Sequence, residues 1–244
     1  KIIFKKSNIF FKSENDEVLF LNKIYSSQFY YDSINLENVF KSKNEIFNIP
    51  YKLIIKNDKF NKTLLTNINS KKIRLNIENR VSYENEIKDG LFEIMFLNKS
   101  KILNYKIKKN SLDFFTDDKK TFNGSLEFKP FYLQADLDYK GISTKDVLNK
   151  NSVIVDLIKS EIFHNENLNV NIKLSVEDII NIDELNNLIL NMGLEQGDIT
   201  LTNSRIMWKN DLELSMTEGI LSYDNDEIYL IGRVLVNANN IDKL

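Results

Sequence analysis

The sequence predicts a mainly β protein: a long antiparallel meander with two short helical insertions near residues 143–163 and 175–193. Three observations carry this prediction. Apolar and polar residues alternate at period two through most of the chain. Clusters of Asn, Asp, Ser and Lys interrupt that alternation at short intervals, as turns joining successive strands do. The period changes near residue 143 and returns near residue 197.

Residues 1–142 read as strands. Ile73, Leu75 and Ile77 alternate with Arg74, Asn76 and Glu78. Leu103, Tyr105 and Ile107 alternate with Asn104, Lys106 and Lys108. Ala135, Leu137 and Tyr139 alternate with Asp136, Asp138 and Lys140. Aromatic and β-branched runs such as Ile9–Phe11, Gln28–Tyr31 and Leu91–Phe96 suit a pleated, half-buried surface. Asn15-Asp16, Asn57-Asp58, Asp89-Gly90, Asp117-Asp118 and Asn123-Gly124 read as turns, the last as a short hairpin signal. Pro50 and Pro130 fall where a strand can begin without an N–H.

The helical insertions rest on caps and spacing. Ser143 and Asp146 have the spacing of a capping box. Val147, Leu148, Val153, Ile154, Leu157, Ile158 and Ile162 follow at roughly helical intervals. A short strand, Val170–Leu174, separates this from a second start at Ser175 and Asp178. Val176, Ile179, Ile180, Ile182, Leu185, Leu188, Ile189 and Met192 then form an apolar stripe, with Gly193 as its stop. Beyond residue 197, Ile199 and Leu201, Ile206 and Trp208, Leu212 to Met216, and Ile228 and Leu230 read as strand faces through residue 237. Asp211, Glu218-Gly219 and Asp224-Asn225-Asp226 mark the turns, and Trp208 reads as core.

Composition narrows the function. The 244 residues are 42% hydrophobic, ample for a folded core and too apolar for a disordered chain. The 33 basic and 35 acidic side chains balance and interleave, so nothing pulls the chain toward nucleic acid. Seven Gly and two Pro exclude collagen-like and linker compositions. Absence of Cys rules out disulfides and cysteine zinc sites. Asn, Lys and Ile are abundant, but no short repeat spaces the asparagines as a solenoid ladder would. No apolar run is long enough to span a bilayer as a helix. The chain opens Lys1-Ile2-Ile3-Phe4, without Met and already strand-like, and so reads as a single segment (1–244) of a longer polypeptide.

Enzymatic chemistry has little support. His164 is the one histidine, no nucleophile elbow accompanies it, and its place at a predicted helix end suits a structural role. Asp136 and Asp138 share a strand face and could bind a metal, yet their alternation with apolar neighbours fits a solvated face. Asp224–Glu227 lacks the Gly and the distal acid of a calcium loop. No Gly-rich phosphate cradle occurs. No catalytic residue, metal or cofactor is therefore expected. The apolar face itself remains, and it must fold over, pack on the helices or hold a hydrophobic ligand.

The stretch Gly197-Asp198-Ile199-Thr200-Leu201-Thr202-Asn203-Ser204-Arg205-Ile206-Met207-Trp208, with Leu212-Glu213-Leu214 and Ile228–Val234 after it, resembles the strand phrases of AsmA/TamB-like bacterial envelope proteins. Phe4–Tyr31, Phe122–Phe128 and Ala135–Ser143 have a similar form. The resemblance implies a curved, groove-like β-sheet, one segment of a longer repetitive β-groove protein, that is non-enzymatic, binds or transfers lipid, and holds phospholipid acyl chains on an apolar concave face. It implies a periplasmic or envelope location, an anchor outside this segment, and envelope membrane proteins as partners. The candidate lining is Ile73, Leu75, Ile77, Leu103, Tyr105, Ile107, Leu137, Ile199 and Leu201. The rival reading is a structural or protein-interaction β module, such as an assembly factor or adhesin, that pairs through its strand edges. A carbohydrate-active enzyme ranks third, since paired carboxylates in an aromatic cleft are not evident.

Overall fold

A computed structural model describes residues 1–12, 16–82, 89–96, 99–118, 121–128, 131–143, 157–160, 165–195, 198–209, 211–224 and 227–238. These residues form a mainly β, mostly antiparallel protein. Its chain divides into two units, Lys1–Asp117 and Asp118–Leu244.

The first unit is an uninterrupted meander. Its strands are β1 (Ile2–Lys12), β2 (Val18–Asp32), β3 (Glu37–Ile46), β4 (Ile49–Asp58), β5 (Thr63–Ser70), β6 (Leu75–Ser82), β7 (Asp89–Phe96), β8 (Lys99–Ile107) and β9 (Ser111–Phe115). Each pairs antiparallel with the next.

Three of its hairpins close on the same four-residue turn: Ser33–Leu36, Lys59–Lys62 and Lys71–Arg74. In each, the fourth residue is left-handed, with φ of 57° at Leu36, 49° at Lys62 and 47° at Arg74. Asp32 and Asp58 lock two of these turns. Asp32 Oδ1 accepts the Ile34 and Asn35 amides, and Asp58 Oδ1 those of Phe60 and Asn61; Asn35 and Asn61 donate to the second oxygens. Such short side chains at turn starts satisfy backbone donors that would otherwise face only water.

Ile73 belongs to the third turn, not to a strand as its alternation with Leu75 suggests, and it is buried. Asp89-Gly90 and Asn123-Gly124 are strand residues, not turns. Gly90 pairs with Tyr105, whose ring lies over it: a Cβ at Gly90 would meet the Tyr105 hydroxyl at 2.6 Å. Tyr105 thus covers a strand glycine, and the close approach is why glycine stands there.

The second unit holds β10 (Phe122–Phe128), β11 (Phe131–Ser143), β12 (Asn169–Ile180), β13 (Leu185–Glu195), β14 (Asp198–Leu201), β15 (Ser204–Trp208), β16 (Leu212–Asp224) and β17 (Glu227–Ala238). The pairs β10–β11, β12–β13 and β16–β17 are antiparallel, while β11 and β12 run parallel. Short β14 and β15 follow one another between β13 and β16, each pairing with both.

The parallel pair explains the change of period at residue 143. Parallel neighbours need a crossover of a dozen or more residues, and residues 144–168 supply it. Most of the first predicted helix falls at 144–156 and 161–164, outside the described residues, as does His164. Within it, Ser143 ends β11. Leu157 and Ile158 have helical backbone, and Ser160 turns back to donate to Leu157 O (3.0 Å). No helix is completed among the described residues.

The second predicted helix is not a helix: residues 175–193 lie in β12, a turn and β13. Its apparent helical spacing comes from a slip in strand phase. Asn187 adopts φ of 49° across from Glu177. Past that point Glu177 and Asp178 are both exposed, while Val176 and Ile179, three apart, are both buried. The reversal follows at Asn181 (φ 76°), where Ile182 N–H donates to Ile179 O and Leu185 N–H to Ile182 O. Strand-favouring Val and Ile win here over a nominal capping pattern. Ser175 pairs with Asp138 and Ile189, and Gly193 with Asn171 and Thr200. Glu218-Gly219, expected as a turn, is paired strand in β16, next to a bulge at Thr217 where pairing with β17 shifts between Met216 and Glu218.

Candidate ligand-binding face

Strand register decides which side chains share a face, because directly paired residues point the same way. In the second unit, three rows cross the strands on one side. Leu126, Leu133, Val170, Leu194, Ile199, Leu221 and Leu230 form one continuous row of paired residues. Gly124, Ala135, Ile172, Met192 and Leu201 form the next, and Phe122, Leu137, Leu174 and Leu190 the third. All members are apolar. The opposite side reads Ser125, Gln134, Asn171, Gly193, Thr200 in one row and Asn123, Asp136, Lys173, Asn191 in another.

The first unit repeats the division less strictly. Phe29, Phe40, Ile55, Thr66, Asn79, Phe92 and Leu103 run across one face, beside Ser27, Ser42, Leu53, Ile68, Ile77, Ile94 and Lys101. The other face carries Gln28, Lys41, Ile54, Asn67, Glu78, Glu93 and Ile102. Several polar side chains on the apolar side are bonded to one another or to backbone. Asn79 donates to Leu91 O (2.7 Å) and to the Tyr105 hydroxyl (3.2 Å), Asn44 donates to Ser42 Oγ (2.8 Å), and the Tyr51 hydroxyl donates to Asn22 Oδ1 (3.1 Å). Burial raises the Tyr51 and Tyr139 hydroxyls above their ordinary value.

The burial of these faces is partial. In a two-layer sandwich the inward side chains interdigitate and lose nearly all their surface. Here Leu53, Ile55, Ile68, Ile77, Phe92, Ile94, Leu133, Leu137, Leu174, Leu190 and Leu201 all remain half-buried. Only scattered members, such as Leu103 (1% exposed), Leu194 (3%) and Ile199 (4%), are closed off.

Of the nine predicted lining residues, Leu75, Ile77, Leu103, Tyr105 and Ile107 lie on the apolar face of the first unit. Leu137, Ile199 and Leu201 lie on that of the second. Ile73 sits in a turn. Leu103, Tyr105, Ile73 and Ile199 are buried and support the face, whereas Leu75, Ile77, Leu137 and Leu201 are half-buried and Ile107 is exposed. Sequence reasoning missed Leu190 and Leu194, since it read a helix up to Gly193, and it read Val170–Leu174 as a strand without assigning Val170 and Leu174 to the face. Their period-two spacing, Val170-Ile172-Leu174-Val176, was the signal available. Trp208, expected in the core, is 38% exposed at the end of β15.

The polar side of the second unit has two shallow hollows. One gathers Asp138, Glu177, Arg205 and Glu213, with Arg205 Nη1 3.7 Å from Glu213 Oε2. Asp138 and Glu177 are exposed there. Among the described residues, no cluster of His, Asp or Glu has the spacing to hold a metal ion, and no helix is long and apolar enough to cross a membrane. No family model matches the chain, and neither the curated proteins nor the solved structures include a match to it.

Proposed function

We propose that this chain is a non-enzymatic, lipid-holding segment of an AsmA/TamB-like envelope protein, with phospholipid acyl chains lying on its apolar faces. The supporting observation is the unbroken row from Leu126 to Leu230, apolar at seven strands, in which Leu194 and Ile199 are closed off and the other five members keep exposed surface. At about 4.8 Å per strand such a row runs for roughly 29 Å along the sheet. One leaflet's hydrocarbon is about 15 Å thick, so an extended acyl chain fits within it. Each methylene covered contributes about 0.8 kcal/mol. A row without polar breaks offers a chain many near-equal positions, so sliding along it meets low barriers. A polar opposite side keeps the sheet compatible with the aqueous gap of a periplasm.

Native mass spectrometry of the purified chain, with lipid extraction alongside, tests the reading. Co-purified phospholipid that disappears in Leu75→Asp or Leu137→Asp, with the fold retained by circular dichroism, supports it. A lipid-free chain that takes up no phospholipid when offered it contradicts it.

A second reading, a protein-interaction β module, draws on β17. Ile228, Leu230, Ile231, Val234, Leu235 and Val236 are exposed there, and β17 has a registered partner along β16 alone among the described residues. Unpaired apolar edges of this kind accept added strands. Concentration-dependent association, abolished by Val234→Pro, would favour it.

A further inference from the structure

Three turns of one geometry serve as internal controls for one another. In the turn Lys71–Arg74, the second position is Lys72 and the third is Ile73. Lys72 is exposed, and Ile73 is buried at 8% exposure. The second position of this turn therefore faces solvent, and the third tucks under the sheet. In the turns Ser33–Leu36 and Lys59–Lys62 the third position is an asparagine bonded to its Asp, and the solvent-facing second position holds Ile34 and Phe60. These are 90% and 86% exposed, the most exposed large apolar side chains among the described residues.

Their placement is shared. Glu37 pairs with Asp58, so both turns lie at the same end of the first unit, two strands apart, or about 10 Å. At the opposite end, Phe47 folds back against Phe20, with ring centroids 5.8 Å apart, and Lys72 occupies the outward position. The two ends therefore treat the same turn differently. Exposed lysines lie at both ends, Lys59 and Lys62 beside Phe60 and Lys71 and Lys72 in the third turn. The Asp32 and Asp58 carboxylates are bound into their own turns, and Lys56 Nζ lies 3.3 Å from Glu37.

We infer that these two turns form a lipid-bilayer contact, in which Ile34 and Phe60 enter the headgroup–acyl boundary while Lys59 and Lys62 meet anionic headgroups. Isolated apolar side chains projecting from locked turns bury well in a fluid interface, which closes around each one. The flanking cations complement an anionic surface. The Asp locks hold both side chains outward in advance, so little conformational freedom is lost on insertion. The inference goes beyond the lipid-holding face, since it needs no acyl chain on that face, and the two can fail separately.

The test is flotation of the full chain with vesicles of phosphatidylcholine and phosphatidylglycerol, for the wild type and the double variant Ile34→Ser, Phe60→Ser. Both positions are solvent-facing, so the variant should fold, which circular dichroism checks. The expected result is binding by the wild type that falls at least tenfold in the double variant. Uptake of free fatty acid from solution should stay unchanged, which separates this contact from the apolar face. A wild type that does not float with the vesicles overturns the inference, as does a double variant that floats equally well. Concentration-dependent dimerisation lost in the double variant, without vesicle binding, would assign the tips to a second copy and also overturn it.

Discussion

The two faces of the second unit are built from the same strands, often from adjacent residues, yet they differ almost completely. Leu133, Ala135 and Leu137 face one way, and Gln134, Asp136 and Asp138 the other. On one face the rows that begin at Leu126, Gly124 and Phe122 are apolar throughout, and the other face is mostly amide, hydroxyl and charge. A strand buried on both sides would read as a continuous apolar run, and a strand serving only as a solvated bridge would need no such strictness. The three rows give the second unit one apolar side on which Leu133, Leu137, Leu174, Leu190 and Leu201 stay half-buried. The first unit relaxes the rule, placing Ser27, Ser42 and Asn44 among its apolar residues.

Substitutions can break or sharpen this contrast. The largest effect is expected at Leu103, which is 1% exposed on the apolar face. Leu103→Ala should cost about 2–5 kcal/mol by urea denaturation. Its neighbour Ile102, 63% exposed on the other face, should lose less than about 0.5 kcal/mol on the same change. Equal losses would mean that the faces do not differ energetically.

Glycines give the next contrast. Gly232 lies in the apolar row of β17, and an added Cβ would fall on Glu218 O and within 2.9 Å of Gly219 Cα. Backbone cannot step aside, so Gly232→Ala should cost about 1–3 kcal/mol. On the polar face, Gly193→Ala would meet the Thr200 hydroxyl at 2.6 Å, and that side chain can rotate. Its cost should stay below about 1 kcal/mol. Thermal unfolding of the two variants measures the difference.

A pH dependence should come from outside the apolar face. The Tyr25 hydroxyl and Lys23 hold the Glu45 carboxyl below its ordinary value of 4.5. Asn35 does the same for Asp32, and the Asn61 amide for Asp58, against an ordinary 3.8. With folded values below the unfolded ones, the unfolded chain binds more protons in the acid range. The stabilisation is therefore complete above the unfolded values and is lost as pH falls through the folded ones. Urea midpoints should drop on acidification below about pH 4.5, and the drop should be shallower in Glu45→Gln. A Glu45→Gln variant with an unchanged profile would remove Glu45 from the account. The smallest effect belongs to Lys41, whose ammonium lies 5.6 Å from the Tyr30 ring centre on the polar side. Lys41→Ala should change stability by about 0.5 kcal/mol or less.

Much of this architecture is legible in residue order. Period-two alternation marks β6, β8 and β11, and Asn57-Asp58 and Asp117-Asp118 sit at real chain reversals or strand ends. The failures have local physical causes. Asn187 in left-handed backbone slips the phase of β12, so Val176 and Ile179 mimic a helical stripe. Asn123-Gly124 and Asp89-Gly90 carry turn chemistry, but pairing with β11 and the covering ring of Tyr105 keep them in strands. The parallel pairing of β11 with β12 depends on a contact between residues far apart in sequence, which no local pattern encodes. Those readings hid β13, and with it Leu190 and Leu194, from the candidate face. The exposed tips at Ile34 and Phe60 stand out only when the three equivalent turns are compared in space.

The central claim, that one face holds lipid and the other does not, is tested most directly by photo-crosslinking. The chain is loaded with a diazirine-bearing fatty acid, irradiated, and mapped by peptide mass spectrometry. The account predicts adducts on Leu133, Leu137, Leu174, Leu190 and Leu221, with Gln134, Asn171 and Lys173 unlabelled. Labelling spread equally over both faces, or confined to the polar hollow beside Arg205, would contradict it.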